Sequence, residues 1–376
     1  MESDKLRILR LRGSLADQGQ QYGEAERDTI ASAQREWEND VRASGLAPES
    51  VAGALAGESS FLNALHQYAP RFMSFIGGVA VGANQPLHRV LAQNMMDEDW
   101  WIRRGMLAAG QAFPNGERCS SIAGPAREGM LAGQNLDIQP WVEGTQLVLQ
   151  LEAENDLKIM VAAVGGVPSC GVNSAGVSTL LNTVIQLRST TVGLPVCGFQ
   201  FECLFQPSAL SGYGMLCSTP HASGHAYTIV DRHSLYATEC SADGVVQLGL
   251  DSRGFLMRTN HPLGSTSLRN HYVAEERALI QGPSTTHQRL RQLRESIGAD
   301  TVHLSLESIK AALSCRAIDG APVSRHLDDV QRGDGAANIG YTSLSVIAEL
   351  PDVGAARLHV APGPPAITAF KRFDFQ

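Results

Sequence analysis

Apolar and polar residues follow two different rhythms along this chain, and the change falls near residue 118. Before it, apolar positions recur at three- and four-residue steps, the spacing of an amphipathic helix. Ser14 is placed as an N-cap, and Leu15 to about Ala43, rich in Ala, Gln, Glu and Arg and closed by Gly45, reads as one helix. Phe61 to Phe75 reads as a second, and Pro86 to Trp101 as a third. Between those two, Phe75–Ala83 holds Gly77, Gly78 and Gly82; it is too glycine-rich for a stable helix interior and is expected to form a packed turn.

After residue 118 the short period of strands takes over. Leu147–Glu152 and Lys158–Val164 are predicted to pair about a turn at Asn155-Asp156. Gly171–Thr179 reads as strand, turn, strand. Ala226–Asp231, Ser234–Thr238 and Gly244–Leu248 read as a meander. Helices return at Thr286–Ile297, ended by Gly298, and at Leu306–Ser314, capped by Ser305 with Glu307 nearby. Thr342–Glu349 and Ala356–Val360 are the last two strands. No repeat, low-complexity tract or linker interrupts the chain. Strand-rich sequence with inserted helix pairs predicts an α+β fold: two antiparallel sheets packed face to face and covered by helices. Periodicity alone does not choose this over other α+β arrangements.

Composition narrows the function. The 376 residues are 43% hydrophobic and 18% charged, ordinary for a globular protein with a large core. A net charge of −8 without basic runs disfavours nucleic acid and anionic membrane as partners. The start, Met1-Glu2-Ser3-Asp4-Lys5, lacks a signal peptide's apolar core, and no apolar run could span a membrane. Seven scattered cysteines with no Cys-x-x-Cys read as reduced thiols, so a cytoplasmic location is expected. No Rossmann fingerprint, P-loop or metal-spaced cluster occurs, and neither cofactor nor metal is expected.

One cysteine stands apart. Cys119 follows the polar turn Asn115-Gly116-Glu117-Arg118, and Gly133-Gln134-Asn135-Leu136-Asp137 comes next. A thiolate nucleophile needs a base. A histidine can serve, and so can a terminal α-amine, whose pKa of about 7.7–8.0 suits neutral pH. The amine exists only if the peptide bond before the cysteine is broken. Cys170, beside Gly171, and Cys197, after Leu194-Pro195, lack both the turn and a following carboxylate.

This pattern resembles the isopenicillin-N acyltransferase-like family of self-processing N-terminal nucleophile (Ntn) cysteine hydrolases. Further similar stretches are Gly171-Val172-Asn173-Ser174-Ala175-Gly176 with Asn182, Thr259-Asn260-His261-Pro262, Ser324-Arg325-His326, and the glycine-rich Gly77–Ala83. The order and spacing of these motifs, over nearly the whole chain, carry the likeness. It implies a four-layer αββα sandwich cleaved between Arg118 and Cys119. Residues 1–118 would form a helical leading chain and 119–376 the core, the two staying associated in one unit. Cys119 would be nucleophile and, through its α-amine, base. Asp137 would orient the amine, Asn135 would lie beside the thiol, and Asn260 would hold the oxyanion. Arg325, Ser120, Asn182 and Ser241 would contact or support substrate. The substrate would be a small-molecule amide or acyl donor, with oligomeric state open. The sequence departs from the family at Leu136, where Trp is usual, and at Arg118, where a small residue is common. Two other readings stay open: an uncleaved cysteine amidase using a distant His221 or His261, and a non-catalytic relative that binds a small ligand.

Overall fold

The computed structural model describes residues 6–57, 61–107, 118–268, 285–318, 320–331 and 340–376. The leading segment begins with a short strand, Arg7–Arg10 (β1), and continues as helices. The helix expected over Leu15–Ala43 is two, Leu15–Ala25 (α1) and Arg27–Ala43 (α2), because Glu26 leaves the helical region at φ −114°, ψ 21°. Ser14 caps α1 in a reciprocal box with Asp17. Pro48–Ala56 (α3) follows. Phe61–Tyr68 (α4) stops before Pro70, which opens Pro70–Ala83 (α5) at its first turn. The third expected helix is also split, into Leu87–Asn94 (α6) and Met96–Met106 (α7).

The glycine-rich stretch forms the second half of α5, contrary to expectation. A Cβ on Gly78 would lie 2.0 Å from Ala16 O, and one on Gly82 2.0 Å from Gln20 O. On the other helix, a Cβ on Gly19 would lie 1.9 Å from Phe75 O. The glycines let α1 and α5 touch backbone to backbone, so packing outweighs their poor helix propensity.

The strands after residue 118 form two sheets. Arg118–Pro125 (β2), Met130–Ile138 (β3), Leu256–Arg258 (β11), Tyr341–Leu350 (β12), Arg357–Ala361 (β13) and Lys371–Asp374 (β14) make one, in the order β11-β2-β3-β12-β13-β14. The other takes β1 as its edge, then Leu147–Glu152 (β4), Lys158–Val164 (β5), Val167–Asn173 (β6), Ser178–Thr183 (β7), His225–Val230 (β8), Leu235–Ser241 (β9) and Gly244–Gln247 (β10). Among the described strands only β1 is parallel to its neighbour, β4. The expected turn between β4 and β5 is present, with Asn155 and Asp156 at φ 57° and 58°. Asn173 stabilises the β6–β7 turn: its side chain accepts from Val177 N (2.8 Å) and donates to Leu204 O (2.9 Å).

Three cores make the layers. Leu147, Leu149 and Leu151 of β4 point to the core shared with α1–α6, Val196–Cys203 (α8) and Ala209–Ser218 (α9). Val148 points the other way, to a second core between the sheets with Ala132, Val346 and Val360. A third joins Ile122, Leu131 and Ile347 to Thr286–Ile297 (α10) and Leu306–Leu313 (α11). The order is helix, sheet, sheet, helix: an α+β four-layer sandwich with a helical leading segment. A final short helix, Leu327–Gln331 (α12), precedes β12.

The α1–α5 contact makes a test. Gly78→Val should cost about 1–3 kcal/mol by overpacking. Gly77→Ala, where an added Cβ meets nothing within 4 Å, should stabilise by up to about 1 kcal/mol through helix propensity. Urea unfolding midpoints compare the two.

Candidate active site

Cys119 is the second residue of β2, between β11 and β3, and is 1% exposed. In the β2–β3 ladder Arg118 faces Asp137, Cys119 faces Leu136, and Ser120 faces Asn135. Side chains alternate across the sheet. Cys119 and Ser121 therefore project toward the space between the sheets, and Ser120 toward α10 and α11. The Asn115–Glu117 turn and the Arg118 side chain lie outside the described residues.

The Gly-Gln-Asn-Leu-Asp run of β3 divides its work between the two faces. A Cβ on Gly133 would lie 2.8 Å from an Ile309 methyl, so glycine lets α11 close on the strand. Gln134 spans the sandwich, accepting from Leu181 N (2.9 Å) and donating to Leu181 O. Leu136 packs on the intersheet core. Asn135 donates to Leu313 O (2.8 Å) and Val323 O (3.0 Å) and accepts from Ser345 Oγ (2.7 Å). The resemblance implies that Asn135 lies beside the thiol. The pleat puts its side chain, like that of Asp137, on the face opposite the thiol; there Asn135 clamps the C-terminal end of α11. Asp137 is buried and accepts from Thr342 Oγ1 (2.7 Å); Thr342 Oγ1 in turn accepts from Arg325 N (2.9 Å).

Asn260 and Arg289 meet at Cys119. Cys119 N donates to Asn260 Oδ1 (2.9 Å). Asn260 Nδ2 donates to Thr183 O (2.9 Å), and Asn260 N donates to Thr286 Oγ1 (2.8 Å). Arg289, fully buried on α10, donates to Cys119 O (2.7 Å), Ser120 Oγ (2.8 Å), Asn260 Oδ1 (2.8 Å) and Thr285 Oγ1 (3.0 Å). Burial lowers its pKa to about 10, opposed by the charges of Asp137 and Cys119 and assisted by Arg325, so it stays charged at neutral pH. Across the sandwich, Ser121 Oγ donates to Asn182 Oδ1, and the buried Asn182 Nδ2 has no partner among the described residues.

The structure thus brings Cys119, Ser120, Asp137, Asn260, Arg325 and, through Ser121, Asn182 into one neighbourhood. Ser241 is used otherwise. Its hydroxyl donates to Ser267 Oγ (2.9 Å) and accepts from Asp243 N (3.2 Å), tying the end of β9 to the 265–268 segment.

No protein-family model matches this chain, and no curated protein matches it. Among solved structures it is similar to a mutant of conjugated bile acid hydrolase from Clostridium perfringens, with 12% identity, 68% of this chain and 97% of that chain covered, and a TM-score of 0.40. A second variant of that hydrolase gives 11%, 69%, 97% and 0.41. Penicillin V acylase from Agrobacterium tumefaciens gives 12%, 68%, 86% and 0.39. Likeness at these identities and scores names neither a family nor an activity for this chain.

The histidines considered as bases are committed elsewhere. His221 Nε2 bonds Leu216 O (2.9 Å), its Nδ1 has no partner among the described residues, and burial holds its pKa down at about 4. His261 Nδ1 bonds Thr286 Oγ1 (2.9 Å), its ring stacks 4.0 Å from that of His287, and burial brings it to about 3. The rival thiols are buried as Cys119 is, and desolvation pushes Cys170 up to about 11 and Cys197 well above its ordinary value.

No motif marks Arg289, yet the sequence carries a trace of it. It falls on the same helical stripe as Thr286, Leu290, Leu293 and Ile297, and a cation in an apolar stripe needs buried acceptors. A second buried cluster had no such sign, since its members are far apart in sequence. Asp97 Oδ1, on α7, accepts from Thr183 Oγ1 (2.7 Å) and bonds His225 Nε2 (3.0 Å). Ser223 Oγ sits 3.0 Å from His225 Nδ1 and 2.6 Å from Glu98 Oε1, which also accepts from Val196 N (3.0 Å). Two placements of one proton fit this chain. Either ionised Glu98 accepts a hydrogen bond from the Ser223 hydroxyl, which accepts from doubly protonated His225, or protonated Glu98 donates to Ser223, which donates to neutral His225. Burial pushes Glu98 up to about 7, against the pull of His225. Burial disfavours charge on His225, but the bond to Asp97, the charges of Asp97 and Glu98 and a backbone bond to Ser223 together outweigh it, and the pKa rises.

A raised folded-state pKa gives stability that is full below the unfolded value and lost as the pH climbs through the folded one. For Glu98 that window runs from the ordinary value of 4.5 to about 7; His225 has the same sign. Stability should fall by on the order of 2 kcal/mol between pH 5 and pH 7.5. Urea midpoints across that range should show the slope, and Glu98→Gln should flatten it.

Proposed function

We propose that this protein is a self-processing cysteine amidohydrolase or N-acyltransferase of the N-terminal nucleophile kind, acting on a small-molecule amide. One observation carries the reading: the Cys119 backbone nitrogen donates to Asn260 Oδ1 at 2.9 Å, while Arg289 holds the Cys119 carbonyl at 2.7 Å. The nitrogen that would become the α-amine already has its acceptor.

In processing, the Cys119 thiol attacks the carbonyl carbon of residue 118. The acyl group moves from nitrogen to sulfur, and the nitrogen takes up the proton to become the amine. Water then hydrolyses the thioester, leaving residues 1–118 and 119–376. Asp137, across the ladder from residue 118, is the carboxylate beside this bond. In turnover the α-amine takes the thiol proton, the thiolate attacks the substrate amide, and the amine returns the proton to the leaving nitrogen. Asn260 Nδ2 carries two hydrogens, and Thr183 O uses one. The second, with Asn182 Nδ2, is the donor pair for the oxyanion. The thioester then passes to water or to a second amine. Arg289 and Arg325 set a positive field around the thiolate, and Arg325 is the residue for substrate. Asn135 and Ser241 act through the framework.

Intact mass spectrometry of the purified chain tests this directly. Wild type should appear as two fragments, the larger starting at Cys119, and Cys119→Ala as one whole chain. A whole wild-type chain under the same conditions would sink the self-processing step. Asn260→Ala, with its loss of an oxyanion donor, should lower kcat by about 10²–10³ on any amide the wild type cleaves. In contrast, His221→Gln should leave turnover within a few-fold of wild type; its loss of activity would restore the histidine-base reading.

A further inference from the structure

We propose that Asp97, on the leading segment, is a positioning residue for this reaction, acting through Thr183 on the Asn260 side chain. The inference rests on the amidase reading above and adds to it a residue outside the motifs.

Asn260 is useful only if its carboxamide is held one way round, with Oδ1 toward Cys119 N and Nδ2 toward the reacting atoms. Arg289 holds the oxygen end, and Thr183 O holds the nitrogen end at 2.9 Å. Thr183 is the last residue of β7, where a strand end would otherwise be free to fray. Its register partner on β8 is His225. Cross-strand partners project to the same face, and both side chains converge on the same oxygen: Thr183 Oγ1 lies 2.7 Å and His225 Nε2 3.0 Å from Asp97 Oδ1. Asp97 therefore clasps the ends of β7 and β8 to α7. Ser223 and Glu98, with Val196 N, close the far side of His225. All of this is buried, so a lost partner is not replaced by solvent. The leading segment, on this inference, supplies part of the working site after cleavage.

The test uses two backgrounds. In the Cys119→Ala chain, which stays whole whether or not the amidase reading holds, hydrogen exchange reads the residue-119 amide that donates to Asn260. Thr183→Val and Asp97→Asn should each speed its exchange about tenfold, while Thr183→Ser, which keeps the hydroxyl, should leave it near the parent rate. Amides of β5 should keep their protection in all of them. In the wild-type background Thr183→Val should lower kcat about tenfold with KM within twofold, and Thr183→Ser should restore it. Unchanged exchange at residue 119 in both Thr183→Val and Asp97→Asn would overturn the proposal. Equal loosening of the β5 amides would overturn it too, by showing a general loss of packing. A wild type that is neither cleaved nor active, with the exchange response intact, would remove the amidase reading, and with it the role in this reaction, and leave only the hold of Asp97 and Thr183 on Asn260.

Discussion

A guanidinium taken out of water must be met by acceptors on every side, and Arg289 is met by the backbone and side chains around Cys119. Its desolvation costs several kcal/mol, returned only where bonds to acceptors are well formed. The acceptors are Cys119 O, Ser120 Oγ, Asn260 Oδ1 and Thr285 Oγ1, drawn from β2, the end of β11 and the start of α10. The geometry of three elements is thus tied to one charge. A shift of β2 along its ladder would break several of these bonds together. That constraint gives Cys119 a fixed place near the start of β2.

The second constraint is steric. Helices α1 and α5 meet through glycines at carbonyl distance, and the helical layer rests on the outer face of the eight-stranded sheet. From this layer α7 brings two carboxylates, Asp97 and Glu98, to the ends of β7 and β8. Interior carboxylates are tolerated because each has polar partners, and because one proton is shared along Glu98, Ser223 and His225. The site is therefore braced from both sides, by α10 over one sheet and α7 over the other.

Much of this was readable from residues alone. Strands such as Leu147–Glu152 were found because their turn carries Asn155-Asp156, a local signal. Helix α10 was found to the residue, since its stripe ends at Gly298. Cys119, Asp137 and Asn260 were picked out by local motifs, and the fold places them together. What failed was what depends on contact. The Phe75–Ala83 stretch looked like a turn because propensity is local, whereas its partner, α1, lies more than fifty residues away. Glu26 broke a helix that composition alone would continue. Asn135 shares the motif of Asp137 and the same face of β3, but its amide is used up by Leu313 O, Val323 O and Ser345 Oγ, contacts that no local signal announces. Asp97, Thr183 and His225 carry no common motif; only strand register and the docking of α7 bring them to one point.

The strand β1 runs parallel to β4 at the edge of the larger sheet, while helices α1 to α7 of the same segment lie above. A chain cut before Cys119 would keep this strand as a guest in another polypeptide's sheet. Folding as one chain brings β1 to β4 at the cost of loop closure alone. Once the link is cut, the same pairing becomes an association between two molecules, and its strength depends on their concentration. Loss of the guest would bare the β4 edge, whose unpaired groups recruit other strands. Maturation of such a protein would act as a ratchet: assembled easily before the cut, and held afterwards by the slowness of coming apart.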